Sequence, residues 1–417
     1  MELMPGYKQT ELGLIPADWE TIPLGRLTAS VEYGSSAKSS LTGRIPVLRM
    51  GNLQGGQIDW ANLVYTDDAT EITKYTLYPG DVLFNRTNTI ELVGKAALFK
   101  GGRAAIFAGY LIRIKVDKKL LDSRFLNYVL NTEFSKRYST KVLSVAVGQA
   151  NINGQKLRTY PVPVPPTKAE QEAIAEALGD TDGLIESLEQ LIIKKRQIKH
   201  GAMQELLTGK KRLPGFIDEW EVKRLGELFE ITSSKRVFQS EWTSEGIPFY
   251  RARELAVLGE AGRVDNELFI RESLYEEFKA AHGVPEPGDM LVTGVGTLGK
   301  VYVVRDDQKF YFKDGNIIWF KIRGSVSSEF LRQLYLTKEV MKQIMDGSAG
   351  TTVGTYTISG AKKTEIPFPS LAEQAAIASI LVDADAELAA LEQRLAQSRN
   401  LKQGMMQELL TGRIRLV

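Results

Sequence analysis

Cysteine is absent from this 417-residue sequence, and histidine occurs only twice, as His200 and His282. The absence of cysteine excludes disulfides, thiolate metal ligands and cysteine nucleophiles, and it fits a reducing, cytoplasmic location. Two histidines are too few for zinc fingers of the Cys/His type, and they leave little material for a catalytic triad. We therefore expect no metal site and no histidine-dependent catalytic site.

Long hydrophobic runs and a strong net charge are also missing. No apolar run reaches the roughly 18–20 residues that cross a bilayer, and the polar residues that follow Met1–Pro5 argue against a signal peptide. The formal net charge is only +2, so any charge that binds nucleic acid must be local. Phosphate-loop, His-Glu-x-x-His and Asp/Asn-Pro-Pro-Tyr motifs are absent too. These absences favour a binding protein without catalytic residues.

What the sequence does contain is a long internal repeat. Met203–Gly209 returns letter for letter as Met406–Gly412, and Ala169–Gln171 returns as Ala372–Gln374. The period of about 200 residues is far longer than that of a solenoid, so it predicts two similar domains. Further matching pairs are Trp19-Glu20 and Trp220-Glu221, Ile45-Pro46 and Ile247-Pro248, and Pro79–Asp81 and Pro287–Asp289.

Each half of the repeat ends in a predicted long helix. The first is expected from Ala169 to Leu207, with prolines just before it and Gly209 just after it. A helix of about 39 residues would be about 58 Å long. The second copy has the same flanking pattern and ends before Gly412.

Apolar residues in both helices recur in alternating steps of three and four, which predicts a coiled-coil seam. Because the chain supplies two matching helices, we expect them to pair with each other in antiparallel orientation. A coiled coil between two copies of the chain is the alternative. The predicted seam residues are Ile174, Leu178, Ile185, Leu188, Ile192 and Leu206 in the first helix and Ile377, Leu381, Leu388, Leu391, Leu395 and Leu409 in the second, with Ile198 and Leu401 also placed on it.

The remaining residues, 12–165 and 212–368, mix short strands with Gly-, Asn- and Asp-rich turns and one helix each, at Ser123–Lys136 and Ser328–Met345. The predicted fold class is therefore α+β: two similar α/β domains separated by two long helices, related by a pseudo-twofold axis. The predicted strands are Ile45–Met50, Asp81–Asn85, Ala96–Phe99, Tyr110–Val116, Ile247–Arg251, Met290–Thr293, Lys300–Val304 and Ile317–Ile322.

Gly294–Lys300 matches the dinucleotide fingerprint Gly-x-Gly-x-x-Gly. That fingerprint requires a helix after the glycines, whereas the β-branched residues after Lys300 predict a strand. We therefore interpret the segment as a hairpin turn. A nucleotide-binding enzyme is the alternative, and it predicts that the isolated chain binds a free nucleotide.

The matching pairs, such as Ile-Pro and Pro-Gly-Asp, recur in both domains, whereas the polar residues between them differ. Asn85–Asn88 corresponds to Thr293–Gly296, and Gln149–Asn153 is aligned with Thr351–Thr355. Polar loops are commonly just solvated, yet these side-chain types also bind phosphates and base edges. One scaffold with two sets of loops predicts that two different half-sites are read. The candidate DNA-binding residues are Ser35, Ser36, Lys38, Arg49, Asn52, Arg86, Thr87, Asn88, Gln149, Asn151, Asn153, Ser233, Ser234, Lys235, Arg236, Tyr250, Arg251, Arg253, Thr293, Thr297, Thr351, Thr352 and Thr355.

Over essentially its whole length the chain resembles the DNA-specificity subunit of type I restriction-modification systems. The resemblance rests on the Trp-Glu and Pro-Gly-Asp pairs, on Ala-Glu-Gln before each long helix and on Met-Gln-Glu-Leu-Leu-Thr-Gly at its end. It implies target-recognition domains at 1–166 and 210–369, each reading half of a split DNA site. It also implies two conserved helices, at 167–209 and 370–417, that pack as an antiparallel coiled coil. Since helices about 58 Å long could hold two readers about one turn of DNA apart, we expect them to act as a spacer ruler.

The resemblance further implies partners. These are double-stranded DNA, two methyltransferase subunits that use S-adenosylmethionine, and two motor-nuclease subunits that use ATP and Mg, with no membrane and no cofactor in this chain. The basic clusters Lys194–Arg196 and Lys210–Arg212 are candidates for phosphate or methyltransferase contacts, or are solvated helix faces. The alternative function is a coiled-coil adaptor whose end domains bind proteins.

Overall fold

A computed structural model describes residues 6–146, 148–265, 268–322, 324, 326–348 and 354–416. The chain forms two compact units: unit 1 comprises Met1–Glu189 with Arg394–Val417, and unit 2 comprises Gln190–Gln393. Each unit contains one mixed α/β domain together with part of both long helices. This confirms the predicted fold class, while the symmetry relation between the halves stays a prediction.

Unit 1 is built on a four-stranded antiparallel sheet in the order β11-β9-β13-β4. A second sheet, β12-β5-β8, has β12 parallel to β5, and β14 and β10 flank β15 in a third. The strands are β1 Tyr7–Thr10, β2 Gly13–Pro16, β3 Glu20–Pro23, β4 Thr28–Tyr33, β5 Ile45–Leu48, β6 Leu53–Gln54, β7 Gln57–Ile58, β8 Val64–Thr66, β9 Val82–Asn85, β10 Thr87–Asn88, β11 Ala96–Leu98, β12 Ile106–Phe107, β13 Leu111–Val116, β14 Ser144–Ala146, β15 Gln149–Asn151 and β16 Pro161–Val164, and the short helices are α1 Ala69–Tyr75, α2 Ser123–Leu130, α3 Glu133–Val142 and α4 Gly154–Arg158.

The first long helix, α5, spans Lys168–Leu206, and unit 2 repeats the plan after it. Its sheets are β18-β25-β22-β23 and β19-β21-β20-β24, in which β20 and β24 are parallel. The elements are β17 Glu221–Arg224, α6 Leu225–Leu228, β18 Glu230–Thr232, β19 Trp242–Thr243, β20 Ile247–Tyr250, α7 Ala252–Ala261, β21 Phe269–Ile270, α8 Glu272–His282, β22 Met290–Thr293, β23 Val301–Val303, β24 Tyr311–Phe312, β25 Ile317–Lys321, α9 Ser328–Leu334, α10 Lys338–Ser348, α11 Ile358–Lys363, β26 Glu365–Phe368 and α12 Leu371–Leu409.

All of the predicted strands exist, with boundaries within two residues of those expected. Strands β9 and β22 are buried along their whole length, which explains their continuous apolar runs. The predicted helix Ser123–Lys136 was wrong in one respect, because it is two helices, α2 and α3. Asn131 ends the first helix, and Thr132 caps the second by accepting a hydrogen bond from the amide of Ser135. The predicted helix Ser328–Met345 divides in the same way into α9 and α10.

The long helices α5 and α12 contain 39 residues each. In unit 1, Asp182 pairs with Lys402 at 2.6 Å and Glu189 pairs with Arg399 at 2.6 Å. The partner number falls as the number along α5 rises, so the helices are antiparallel. The pairing predicted within one chain is thus confirmed in this unit.

Unit 2 shows the same orientation. Lys195 pairs with Glu387 at 2.6 Å, and Lys199 pairs with Asp385. Each of these pairs joins α5 to α12, so the acidic residues of one helix neutralise the basic residues of the other.

The seam differs from the prediction at one position in each helix. Ile198 and Leu401 are 55% and 58% exposed, whereas the neighbouring Lys199 and Lys402 are largely buried. A strict alternation of steps of four and three passes through these two lysines, and each lysine is neutralised by an aspartate of the other helix. Ile198 and Leu401 were therefore wrongly assigned to the seam. The other predicted seam residues are buried or half-buried: Ile174, Leu178, Ile185, Leu188, Ile192, Leu206, Ile377, Leu381, Leu388, Leu391, Leu395 and Leu409.

The repeated Ala-Glu-Gln motif holds each domain against the long helices. In unit 1, Glu170 is 1% exposed and accepts hydrogen bonds from the guanidinium of Arg415, which also pairs with Asp18 at 3.1 Å. We call these three residues the unit 1 clasp. Gln171 accepts from the amide of Asp122 at 2.9 Å, and Asp122 is the N-cap of α2.

The unit 2 clasp consists of Arg212, Trp220 and Glu373. The guanidinium of Arg212 donates to both carboxylate oxygens of Glu373 at 2.7 and 2.8 Å, and the indole N–H of Trp220 donates at 2.9 Å. Gln374 accepts from the amide of Ser327, the N-cap of α9, at 2.9 Å. The sequence motif is therefore explained by two matching structural contacts.

Candidate DNA interface

The structure brings together two candidate segments of unit 1 that are about sixty residues apart in the chain. Strand β10 pairs antiparallel with β15, with Thr87 opposite Asn151 and Asn88 opposite Ala150. The side-chain amide of Asn151 donates to the hydroxyl of Thr87 at 2.7 Å. Arg86 immediately precedes β10. We call Tyr33, Arg86–Asn88 and Gln149–Asn151 the unit 1 strip.

Arg86 is the cation of this strip. Its guanidinium lies 4.8 Å from the centroid of the Tyr33 ring. Its Nη1 donates to the carbonyl of Gly109 at 3.3 Å, and its Nη2 donates to Oδ1 of Asn151 at 3.4 Å. Its Nε is buried and has no hydrogen-bond partner. The guanidinium is thus held in one plane by long contacts.

Tyr33 was missed by sequence reasoning. Its hydroxyl accepts a hydrogen bond from the amide of Gly154 at 2.7 Å, and the residue is 46% exposed. The sequence has 15 tyrosines, and no local pattern links position 33 with position 86.

The same pattern of main-chain hydrogen bonds, which we call the frame, occurs in both units. The amide of Arg86 donates to the carbonyl of Tyr110, and the amide of Gly294 donates to that of Asn316. The carbonyl of Arg86 accepts from Ile152, just as that of Gly294 accepts from Tyr356. Gly294 therefore occupies the backbone position of Arg86. We call Ser233, Gly294–Gly296 and Thr355 the unit 2 strip.

These bonds correct the alignment of Gln149–Asn153 with Thr351–Thr355 by two residues. Asn153 accepts from the amide of Lys156 and begins α4, and Thr357 accepts from that of Gly360 and begins α11. Helix caps occupy equivalent places, so Asn153 corresponds to Thr357. Likewise Asn151 corresponds to Thr355, which bridges Val295. Thr351 and Thr352 lie outside the described residues.

The glycine-rich segment is a hairpin loop, as predicted. It connects β22 to β23, which pair antiparallel, and no helix follows it. A Cβ at Gly294 would lie 2.6 Å from the carbonyl oxygen of Tyr356. This position therefore requires glycine in unit 2, where unit 1 has arginine.

The recurrent arginines Arg49 and Arg251 each begin a helical turn after β5 and β20. The amide of Arg49 donates to the side chain of Asn52 at 2.9 Å, and that of Arg251 donates to Glu254 at 3.1 Å. Burial raises the pKa of Glu254, but hydrogen bonds and charge from Arg251 lower it by more. The net lowering keeps Glu254 ionised, and it neutralises part of the charge of Arg251 and Arg253.

Several candidate residues are buried and make contacts within the protein. Asn52 donates to the carbonyls of Asp59 and Ala61 at 2.9 Å each. Ser35 donates to Glu71, and Ser234 donates to the carbonyl of Phe312. These buried side chains hold the loops in place through hydrogen bonds within the protein. The buried candidates are Ser35, Asn52, Thr87, Ser234, Tyr250 and Thr293.

The exposed candidates form a second group. Arg236 pairs with Asp314 at 3.1 Å and is nevertheless mostly solvent-exposed. The exposed members are Ser36, Lys38, Arg49, Gln149, Lys235, Arg236, Arg253 and Thr297, and the half-buried ones are Arg86, Asn88, Asn151, Asn153, Ser233, Arg251 and Thr355. Their contact with DNA stays a prediction.

The basic clusters have acidic partners in unit 2. Lys195 pairs with Glu387, Arg196 pairs with Glu392 at 2.6 Å, and Arg212 belongs to the unit 2 clasp. Lys211 lies 3.8 Å from Glu205. Part of the charge that the sequence offered for phosphates or partners is therefore used in ion pairs within unit 2.

Among the described residues, no group of acidic or histidine side chains could hold a metal ion. In the same part of the chain, every helix is too short or too polar to cross a membrane.

Comparison with known proteins identifies the family. Residues 16–195 and 217–398 match the family described as "Type I restriction modification DNA specificity domain". A Methanocaldococcus jannaschii protein, provisionally named the MjaX type I restriction enzyme specificity subunit, is 27% identical over 443 residues, which cover 98% of this chain and 97% of that protein.

Two solved structures share the fold. The S subunit of a type I restriction-modification system from M. genitalium superposes with a TM-score of 0.61 at 17% identity, covering 98% of both chains. A chain from a study of complex assembly in the type I R-M system gives a TM-score of 0.54 at 17% identity, covering 96% of this chain and 99% of that one. With two matched domains that account for most of its length, the chain belongs to the type I restriction-modification DNA specificity family.

Proposed function

We propose that each unit of this chain reads one half of a bipartite DNA site through its strip and that the chain itself carries out no catalysis. The observation that carries the proposal is the shared backbone frame: Arg86 and Gly294 make the same main-chain hydrogen bonds while their side chains differ. Base edges are read by side chains, and the frame only positions them. Two strips with the same main-chain hydrogen bonds and different side chains are therefore suited to reading two different half-sites.

The partners follow from this role. Methyltransferase subunits that bind S-adenosylmethionine would modify the site, and motor-nuclease subunits that use ATP and Mg would cut unmodified DNA. Two of each are proposed because the chain offers each surface twice. No cofactor is assigned to this chain.

A groove in each unit supports a docking role for the ends of the long helices. In unit 1, a groove of about 570 Å³ is lined by Met406, Gln407 and Thr411 together with the start of α3. In unit 2, a groove of about 320 Å³ is lined by Met203, Gln204 and Thr208 together with the start of α10. A methionine, a glutamine and a threonine of the repeated motif line both grooves. A partner present in two copies could therefore bind once to each unit.

The reading role is tested by exchanging a domain. Residues 213–368 are replaced by the equivalent segment of another family member, with Arg212 and Glu373 retained so that the unit 2 clasp can form. Methylome sequencing of cells that carry the variant and its methyltransferase should show a changed sequence in one half of the methylated motif. If both halves change, or neither does, the units are not separate readers.

The helices are also proposed to set the spacing of the half-sites. Inserting one heptad into both helices, after Leu191 in α5 and after Gln393 in α12, preserves the alternation of the seam. Seven residues add about 10.5 Å, which corresponds to about three base pairs at about 3.4 Å each. The methylome should show an unread spacer that is longer by about three base pairs, with both half-sites unchanged.

The control carries the heptad in α5 alone, which mismatches the two helices and should abolish modification. An active enzyme with an unchanged spacer after the double insertion would exclude the ruler.

A further inference from the structure

The guanidinium of Arg86 is incompletely satisfied. Its Nε is buried without a partner, although buried donors are almost always hydrogen-bonded. Its two terminal contacts, at 3.3 and 3.4 Å, are beyond the usual range for N–H donors. Contacts this long can be exchanged for better ones when a ligand with two acceptors arrives.

Tyr33 determines the plane of this guanidinium. The ring stacks under it at 4.8 Å, and the ring itself is fixed by the hydrogen bond from the amide of Gly154. Arginine stacked on an aromatic face loses little freedom when it binds, because its planar fork is already oriented. Tyr33 is thus a positioning residue that acts through Arg86.

Unit 2 has neither member of the pair. Gly294 replaces Arg86 in the frame, and its backbone does not accept a Cβ. Ser233 takes the place of Tyr33: it follows the last residue of β18, and its hydroxyl donates to the carbonyl of Ile317 at 2.8 Å. Unit 2 therefore lacks both the arginine and the aromatic ring that orients it, as expected for two residues that act together.

The surroundings of Arg86 favour a base over a phosphate. The carbonyl of Gly109 and Oδ1 of Asn151 lie at the two terminal nitrogens, and both would repel the charged oxygens of a phosphate more strongly than the neutral acceptors of a base. The edge of guanine is neutral overall and offers N7 and O6 as a pair of acceptors that matches the guanidinium fork.

We propose that Arg86 reads a guanine through N7 and O6 in the half-site bound by unit 1, with Tyr33 as its positioning residue. This inference rests on the proposed function. It predicts that a specific arginine–guanine contact of this kind exists on the side of unit 1 and has no counterpart at Gly294 in unit 2.

The test uses the chain assembled with its methyltransferase and duplexes that carry the motif identified by methylome sequencing. Single 7-deazaguanine replacements remove N7 from one guanine at a time in the half-site of unit 1. At one position the wild-type complex should bind about 5–150-fold more weakly, the range for loss of a specific base contact. Arg86→Ala should bind normal DNA more weakly by a similar factor and should no longer distinguish the modified base.

Further variants separate the possible causes. Arg86→Lys keeps the charge without the planar fork, so it should lose part of the discrimination and keep the salt dependence of binding. Tyr33→Leu should lose much of the discrimination. Tyr33→Phe, which keeps the aromatic face but not the hydrogen bond from the amide of Gly154, should lose less of it. Arg44→Ala removes an exposed arginine of the same unit as a control for charge and should leave the discrimination intact.

The outcomes are distinct. If Arg86→Ala weakens all duplexes equally and lowers the salt slope by about one, Arg86 binds phosphate and the inference is wrong, while the reading role stands. An Arg86→Ala complex that still discriminates also overturns it. If the wild-type complex shows no preference for its methylated motif over unrelated DNA, the proposed function itself fails.

Discussion

Unit 1 and unit 2 share the main-chain hydrogen bonds of the strip but differ in the side chains that the strip carries. At the strip, the main-chain bonds of Arg86 and Gly294 are the same, whereas one side chain is a stacked guanidinium and the other is a hydrogen atom. Below the strip, Asn85 and Thr293 are both buried. Because main-chain hydrogen bonds maintain the frame, the side chains of the strip can differ between the units, although position 294 of unit 2 accepts only glycine.

The clasps differ in a complementary way. Each contains a buried glutamate and an arginine, but Trp220 donates to Glu373 while Nε1 of Trp19 is buried without a partner. Unit 1 recruits Asp18 to the same arginine instead. The ion pair is therefore the constant part of the clasp, and the tryptophan hydrogen bond is the variable part.

The largest effects are expected in the seam, where the two units should respond alike. Leu178 and Leu381 occupy equivalent positions and are both 0% exposed. Leu178→Ala and Leu381→Ala should each lower the free energy of unfolding by about 2–5 kcal/mol. Urea unfolding gives the size of the loss, and hydrogen exchange assigns it to unit 1 or unit 2.

Ile198→Ala and Leu401→Ala serve as matched controls because both side chains are largely exposed. Each should change stability by less than about 0.5 kcal/mol. Controls as costly as Leu178→Ala would mean that the seam passes through Ile198 and Leu401 after all.

The next largest effects are expected in the clasps, where the two units should lose different amounts of stability. Arg415→Met removes the hydrogen-bond donor that the described residues provide to the carboxylate of Glu170, so it should cost about 3 kcal/mol, near the lower end for breaking a buried pair. Arg212→Met should cost less, because Trp220 still donates to Glu373. Thermal unfolding of the two variants compares them directly.

Arg413→Met is the control for the first variant. Arg413 pairs with Glu408 at the surface, and such pairs contribute at most about 1 kcal/mol. Equal losses for Arg415→Met and Arg212→Met would show that the tryptophan hydrogen bond contributes nothing.

The smallest effect concerns the aspartates that neutralise the seam lysines. Burial raises the pKa of Asp385, but its contacts with Lys199, Gln333 and Arg332 lower it by more, so the net pKa falls below its ordinary value. A lowered folded pKa stabilises the protein above the unfolded pKa of about 3.9, and the stabilisation is lost as the pH falls below that value.

Asp385→Asn should therefore cost about 1 kcal/mol at pH 7, a modest amount because the side chain is 35% exposed and screened by solvent. The cost should shrink steadily as the pH falls below about 3.9, the unfolded pKa, as measured by urea unfolding at pH 7 and at a series of acidic pH values. Asp383→Asn, at an exposed position of the same helix, should have little effect at any of these pH values. A cost for Asp385→Asn that does not change with pH would exclude its ionic origin.

The internal repeat and the local signals of helix and strand boundaries were readable from the sequence alone. The repeat predicted two domains, and the flanking prolines and glycines placed the first long helix at Ala169–Leu207, one residue from the observed Lys168–Leu206. Helix length and strand position depend on neighbours in the chain, so local letters determine them.

Only the tertiary structure decided which distant residues meet. It placed Tyr33 beneath Arg86, put Lys199 rather than Ile198 on the seam, and moved the alignment of Asn153 to Thr357. Each of these depends on a partner tens to hundreds of residues away. No local pattern specifies such a partner, because burial and hydrogen bonding are satisfied by the fold as a whole rather than by the segment.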